Sequence, residues 1–317
     1  MGTGEFDLIA RIRARVGTRG DVVLGIGDDA ALLAPPPGKQ LVVTADTLND
    51  GIHFPHDTAP ADLGWKALAV NLSDLAAMGA APTWCTLSLS LPQSDAAWID
   101  GFLDGFLDLA ARHGIALVGG DTTRGPLSIS VTAMGLVEPG EPLRRDGARI
   151  GDDIWVTGTL GDAAGGLALL DRASGGALRE RLDRPTPRVL AGRALRGIAS
   201  ACVDVSDGLL ADLGHIALYS GVGARVDVDA LPASDALCDA FDGPTRIALQ
   251  AGGGDDYELC FTAPADARAL VEAVSSKLCL RITRIGRIVA DEGVQPVRTD
   301  GEPWTPPRRG YDHFVTS

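Results

Sequence analysis

The sequence predicts an α/β chain folded as two domains, on three observations. Its 317 residues exceed what a single core of about 150 residues organises. β-branched apolar runs alternate with stretches of helical periodicity along most of the length. One polar stretch rich in Pro and Gly, Glu138 to Gly151, separates two such alternating halves. The expected domains are residues 1–138 and 151–317, joined by a linker at 139–150.

In the first half a short amphipathic opening leads to Asp21–Ala34, where Val22 and Val23 run into Gly25 and Gly27 and Pro35–Pro37 close the segment. Leu41–Thr47 reads as a strand ending on polar residues. Ala61–Met78 is helical, with Leu63, Leu68, Leu72 and Leu75 near 3.6-residue spacing and Gly79 as a stop. Thr83–Leu91 is a strand, and Asp95–His113 is a helix with a stripe of Trp98, Phe102, Phe106 and Leu109. A strand at Ile115–Val118, a turn at Gly119–Asp121 and a strand at Leu127–Val137 complete it.

The second half starts with a strand at Ile154–Thr157, a glycine turn at Gly158–Asp162 and a helix through Leu167–Leu170. Pro187 opens another helix, Cys202–Val205 is a short strand, and Gly208–Tyr219 is helical. Strands at Ala224–Val228 and Tyr257–Thr262 and a helix at Pro264–Lys277 follow. There is no short internal repeat.

Composition removes several function classes. With 28 Lys and Arg against 42 Asp and Glu the formal charge is −14, and no basic tract is present, which excludes nucleic acid and an anionic membrane surface as partners. Phosphorylated substrates stay open, because bound Mg²⁺ inverts the sign of an acidic site. The five cysteines, Cys85, Cys202, Cys238, Cys260 and Cys279, are an odd number without a CxxC pair, as expected of buried thiols in a reducing cytoplasm. Glu5, Asp7, Arg11 and Arg13 stand where a secretory signal needs an apolar run, and no segment reaches the ~18 apolar residues of a membrane span.

The acids cluster in position. Asp28 and Asp29, Asp46, Asp121, Asp204 and Asp207, and Asp255 and Asp256 fall where strands are expected to end in Gly or hydroxyl residues, and such ends gather on one rim of an α/β fold. Each is equally a natural turn or helix-cap residue, Asp162 and Asp207 above all. Asp74 is different, because its helix is apolar nearly all round and a buried carboxylate requires a partner. Carboxylates and hydroxyls without a Cys/His cluster favour Mg²⁺ before Ca²⁺. Gly25-Ile-Gly-Asp-Asp-Ala30 fits a dinucleotide fingerprint in letters only, because Ala31 to Pro37 cannot supply the helix. Walker A and protein-kinase motifs are missing. Gly119–Gly125 offers backbone N–H groups and Arg124 to phosphates; Arg144 and Arg145 are either a further phosphate contact or a solvated pair.

Taken in order, Gly25-Ile-Gly-Asp-Asp29, Lys66–Gly79, Gly119-Gly-Asp-Thr-Thr-Arg-Gly125 and Ser206-Asp-Gly-Leu209 resemble the thiamine-monophosphate kinases. These share a superfamily with aminoimidazole ribonucleotide synthetase and selenophosphate synthetase. The resemblance runs from Gly4 to Phe314. It implies a two-domain synthetase-like fold: an N-terminal mixed sheet with helices that binds ATP and Mg²⁺ and dimerises, and a C-terminal α/β sandwich that completes the substrate site. It implies transfer of the ATP γ-phosphate to thiamine monophosphate in a cytoplasmic homodimer. Asp29, Thr44, Ala45, Asp46, Asp74, Asp121, Asp204 and Asp207 correspond to positions around several Mg²⁺ ions. Gly120, Asp121, Arg145 and Ser206 correspond to ATP contacts, and His53, Asp255 and Tyr311 to thiamine-phosphate contacts. Two positions depart from the family pattern: Ala45 replaces a Thr, leaving only a main-chain contact, and Asp255 replaces a Glu. The alternatives are another ATP-dependent synthetase of the superfamily and a non-catalytic Mg²⁺ or Ca²⁺ module. Phosphoryl transfer to a phosphate needs no general base, because the acceptor's second pKa lies near about 6, and direct in-line attack is expected.

Overall fold

The computed structural model describes residues 4–170, 176–308 and 310–311. It divides into two compact units: residues up to 75 with 80–140, and residues 76–79 with those from 141 onward.

The first unit begins with α1 (Glu5–Arg15), a small antiparallel pair of β1 (Val22–Leu24) and β2 (Leu32–Leu33), and β3 (Gln40–Asn49). Then follow α2 (Pro60–Ala77), β4 (Ala81–Leu91), α3 (Ala96–His113), β5 (Ala116–Arg124) and β6 (Ser128–Val137). Four strands form one mixed sheet in the order β3-β6-β4-β5, with only β4 and β5 parallel. That parallel pair requires a crossover, and α3 is it. The Asp95 carboxylate caps α3 by accepting from Ala97 and Trp98 N–H, and Gly114 closes it in the left-handed conformation. Leu72, Leu75, Phe102, Phe106, Leu87, Ile129 and Val131 are buried as the core of this unit.

Two expectations are corrected here. Gly119–Asp121 is not a turn: β5 continues through it to Arg124, with Gly119–Arg124 paired to Thr86–Leu91 after a bulge at Val118 of β5. At Gly120 glycine serves close approach and not chain reversal, since a Cβ there would stand 1.8 Å from the Leu87 carbonyl oxygen. Asp46 likewise lies inside its strand, because β3 keeps its register with β6 to Asn49. The segment after Gly25-Ile-Gly-Asp-Asp enters β2 and no helix, in keeping with rejection of the dinucleotide fingerprint.

In the second unit β7 (Asp153–Thr157), α4 (Asp162–Ala168), α5 (Gly176–Asp183), α6 (Val189–Ala194) and β8 (Ala201–Asp204) come first. They lead to α7 (Leu209–Ser220), β9 (Gly223–Asp227), α8 (Asp235–Ala240), α9 (Gly243–Gly252), β10 (Leu259–Ala263), α10 (Arg268–Leu278), β11 (Ile282–Val289) and β12 (Gly293–Val297). The six strands run β12-β9-β11-β7-β10-β8 and are antiparallel except for β12 beside β9. β7, β8 and β10 are buried throughout, and Ile154, Val156, Val203, Leu213 and Ile216 belong to the core beneath α7. The sequence pattern missed α5, α8, α9, β11 and β12. Of these, α8 is a six-residue helix started by the Ser234 cap, β11 has its alternation broken by a bulge next to Gly286, and β12 is an edge strand containing Pro296.

Cys85, Cys202 and Cys260 are buried as expected, whereas Cys238 and Cys279 are exposed, one on short α8 and one at the end of α10. Among the described residues no helix is long and apolar enough to cross a membrane.

Candidate functional site

In the first unit a cavity of about 760 Å³ is lined by α1 (Ile9, Ile12, Arg13), the Gly25–Ala31 segment, and Gly119–Thr122 of β5. It gathers the two conspicuous glycine motifs: Asp28, Asp29 and Asp121 present carboxylates at its wall, and Arg13 adds a guanidinium. The acids are held locally, Asp28 accepting the Asp29 N–H and Asp121 accepting the Thr122 N–H, each at 2.9 Å. Apolar and acidic walls together suit a planar heterocycle with a polyanion whose charge a cation offsets.

A second set lies where β3 meets α2. The Thr44 hydroxyl donates to the Asp74 carboxylate, and the Asp46 N–H donates to Asn71 Oδ1 at 3.2 Å. Positions i and i+2 of a strand thus face positions i and i+3 of a helix, which share a face. Asp74 is half-buried, more open than its apolar helix suggested, and Thr44 supplies the partner that its burial calls for. Ala45, between them in β3, is exposed. His53 accepts the Asn49 N–H on Nδ1 at 2.9 Å, which in the neutral ring leaves the proton on Nε2.

In the second unit three segments distant in sequence converge. β8 leaves the sheet at Asp204 beside the start of its antiparallel neighbour β10, so Val205–Gly208 and Gly254–Glu258 run alongside one another. Tyr257 N–H donates to Val205 O and Asp255 N–H to Ser206 O, both at 2.8 Å; Tyr311 N–H donates to Asp207 O at 2.9 Å. Beneath them the Asp212 carboxylate, 3% exposed, accepts N–H bonds from Ser206, Asp207 and Gly208 at 3.0, 3.1 and 3.1 Å. Burial and the neighbouring Asp207 charge push Asp212 up to about 7, against the pull of those three donors. Arg145 is exposed, and its carbonyl accepts the Ser220 hydroxyl at 3.0 Å.

The family described as AIR synthase related protein, N-terminal domain, matches residues 27–137, and its C-terminal domain matches residues 149–298. Thiamine-monophosphate kinase of Salmonella typhimurium is 51% identical over 325 residues, covering 100% of both chains. The chain belongs to the thiamine-monophosphate kinase family. The crystal structure of thiamine-monophosphate kinase from Stenotrophomonas maltophilia, 58% identical, superposes with a TM-score of 0.88 over 96% of this chain and 99% of that one. A structure described as AaThiL complexed with AMPPCP and TMP, 35% identical, gives a TM-score of 0.78 over 98% of this chain and 97% of that one.

Against that family frame the expected site residues fall in three places. Asp29, Gly120 and Asp121 stand at the cavity; Thr44, Asp46 and Asp74 form the β3–α2 seam, with His53 just past β3; Asp204, Ser206, Asp207, Asp255 and Tyr311 share the second-unit rim. The single rim expected for all the acids does not form within either unit by strand ends alone. Asp46 lies in a cross-strand row with Val131, Leu87 and Gly120, whereas Asp121 lies in the next row with Ser88, Ser130 and Thr47, so their side chains leave opposite faces. Among the described residues no three His, Cys, Asp or Glu side chains form a ready metal cage. The all-oxygen pair of Thr44 and Asp74 fits Mg²⁺, which keeps several waters and takes one or two carboxylates together with substrate phosphates.

The N-cap of α7 is Gly208, and Asp212, one turn inside, accepts the N–H groups of Ser206, Asp207 and Gly208 that lead into the helix. Asp162 sits in the first turn of α4 and accepts the Thr159 and Ser234 hydroxyls at 2.6 Å each. Arg13, Asp212 and the groups behind Asp255 escaped the sequence pattern. Only the Asp207-Gly-Leu-Leu-Ala-Asp212 spacing, an acid one helical turn after a glycine at a helix start, signals one of them.

Proposed function

We propose that this protein transfers the γ-phosphoryl group of ATP to thiamine monophosphate, giving thiamine diphosphate and ADP, by direct in-line attack. The single observation that carries this is the 51% identity over the full length of a thiamine-monophosphate kinase. The relative bound to AMPPCP and TMP supports the same pair of substrates, a nucleotide and a phosphate acceptor.

The cavity beside Gly120 and Asp121 is the nucleotide site of this reading, and Arg145 and Ser206 keep the ATP-contact role that the family resemblance gives them. Gly119–Thr122 belongs to β5, the edge strand of its sheet, and offers backbone N–H groups to the phosphates. His53, Asp255 and Tyr311 contact thiamine monophosphate. Asp29, Thr44, the Ala45 main chain, Asp46, Asp74 and Asp121 from the first unit, and Asp204 and Asp207 from the second, would hold Mg²⁺. Like unit charges ~4 Å apart repel by roughly 4 kcal/mol at an effective dielectric of about 20, and bound Mg²⁺ supplies the compensating charge. The protein's own task is to position the acceptor oxygen against the γ-phosphorus, since the acceptor phosphate is already largely ionised at neutral pH. Thr44 and Asn71 orient the seam, and Asp212 holds the Ser206–Gly208 backbone.

A homodimer in the cytoplasm completes the proposal. Edge strand β3 exposes Leu41 and Val43 at 53% and 56%, an apolar edge that a second copy would cover. Light scattering at micromolar protein reads the assembly. The activity test is incubation with ATP, Mg²⁺ and thiamine monophosphate: thiamine diphosphate and ADP must appear in equal amounts, and [γ-³²P]ATP must leave no acid-stable or base-stable label on the protein. Absence of thiamine diphosphate, or a chaseable phosphoprotein, overturns the assignment.

A further inference from the structure

Asp255 and Tyr257 adopt φ of 68° and 50°, the left-handed region that side chains with a Cβ avoid, and the Tyr257 hydroxyl donates to Asp255 Oδ1 at 3.1 Å. Asp256 and Glu258 are 1% and 0% exposed. Asp256 accepts the Gly161 N–H at 2.8 Å. Glu258 accepts the Arg188 fork, Nε to Oε2 and Nη2 to Oε1 at 2.5 Å each, Arg181 Nη2 at 2.9 Å, and the Thr157 hydroxyl at 2.7 Å. The Thr157 oxygen in turn accepts the Leu259 N–H at 2.9 Å, tying the cluster to β10.

A carboxylate gripped by one point charge can rotate, whereas one gripped by a planar fork and two more donors has a fixed plane and position. Glu258 is therefore pinned, and the three residues before it have little freedom: their backbone is sewn to Val205 and Ser206, and Asp256 is held at Gly161. Strained backbone at a site persists only where its surroundings over-determine it, and this cluster is those surroundings. We propose that Arg181 and Arg188, through their shared hold on Glu258, are positioning residues for thiamine monophosphate: they keep the Asp255–Tyr257 turn left-handed so that Asp255 faces the acceptor. This rests on the assignment of Asp255 to the substrate site made above.

The test uses the full-length protein with Arg188→Lys, which keeps the charge but removes the fork, Arg181→Gln, Asp255→Ala, and the Arg188→Lys/Asp255→Ala double variant. ATP and thiamine monophosphate are varied separately, thiamine monophosphate binding is measured by calorimetry, and thermal melts report the folded fraction. Arg188→Lys should raise KM and Kd for thiamine monophosphate by about tenfold with KM for ATP within about twofold, and Arg181→Gln should do the same more weakly. The double variant should be no worse in KM than Asp255→Ala alone, because the arginine acts through that residue. A fall in kcat matching the folded fraction with both KM values unchanged, a parallel rise in both, or additive losses in the double variant overturns the proposal. Should Arg188→Lys not fold, Arg181→Gln decides by the same selective rise in KM or its absence. A wild-type protein that makes no thiamine diphosphate removes the assignment of function and this inference with it, whereas an active wild type with unselective variants removes the inference alone.

Discussion

The cavity of the first unit and the rim of the second carry similar acidic motifs and are built in contrasting ways. At the β3–α2 seam and at Gly120 and Asp121 of the cavity, each functional residue takes its place from the register of a regular strand or the turn of a regular helix. At the rim, the residues that face outward are irregular, and buried groups such as Asp212, Glu258 and Arg188 dictate their conformation. Register is stiff and cheap to specify, and a buried polar network is specific but fragile, because removing one member leaves the others unpaired.

That contrast orders the expected effects of mutation. The largest belongs to Asp74→Asn at the seam, which should lower kcat about a thousandfold with a melting temperature near wild type, since the carboxylate charge is lost and the Thr44 contact has a replacement acceptor. A large fall in stability with little change in kcat would mean that the seam is structural like the rim. Gly120→Ala comes next: its Cβ has no room against the Leu87 carbonyl, so turnover should drop about a hundredfold and the first unit should melt earlier, as followed by kinetics and a calorimetric scan.

At the rim Asp212→Ala strands three backbone N–H groups and should cost about 3 kcal/mol in denaturant unfolding. The acid dependence of the second unit should come from another long-range pair. Burial alone would raise Asp153, but the Arg268 fork and Arg284 outweigh it and hold its carboxyl below the usual range. A depressed folded pKa stabilises above the unfolded value and loses that contribution as pH falls through the folded one. Asp153→Asn should therefore be less stable than wild type by about 3 kcal/mol at neutral pH, with the difference full down to about pH 4 and shrinking progressively as the pH is lowered further in parallel urea titrations. The smallest effect belongs to Asp255→Glu, which restores the family's residue and should change KM for thiamine monophosphate by no more than about threefold; a tenfold change would show that the loop is tuned to the shorter side chain.

The legibility of each region follows the same contrast. Leu63, Leu68, Leu72 and Leu75 announced α2, and the Trp98, Phe102, Phe106 and Leu109 stripe announced α3, because helical burial repeats locally. Gly119–Asp121 misled as a turn, because glycine signals equally a reversal and a close approach, and only the neighbouring strand distinguishes them. Asp162 has the position of a helix cap, and the Ser234 hydroxyl that it accepts arrives from 72 residues away, just as the buried Asp212 that holds the Asp207 backbone comes from a turn further into the helix. The short capped α8 and the edge strand β12 left too little periodicity to read.

The sequence by itself determined the family, the alternation of strands and helices, and the identity of the acids at the two sites, since each of these is written in local pattern and in ordered motifs. Tertiary structure alone decided that Asp46 and Asp121 leave opposite faces of one sheet, that Asp204, Asp255 and Tyr311 meet at one rim, and that Arg181 and Arg188 stand behind Asp255. The reason is physical. A hydrophobic period repeats within one element and is visible to its neighbours in the chain, whereas a buried carboxylate is satisfied by whichever donors folding brings to it, here from 70 and 77 residues away.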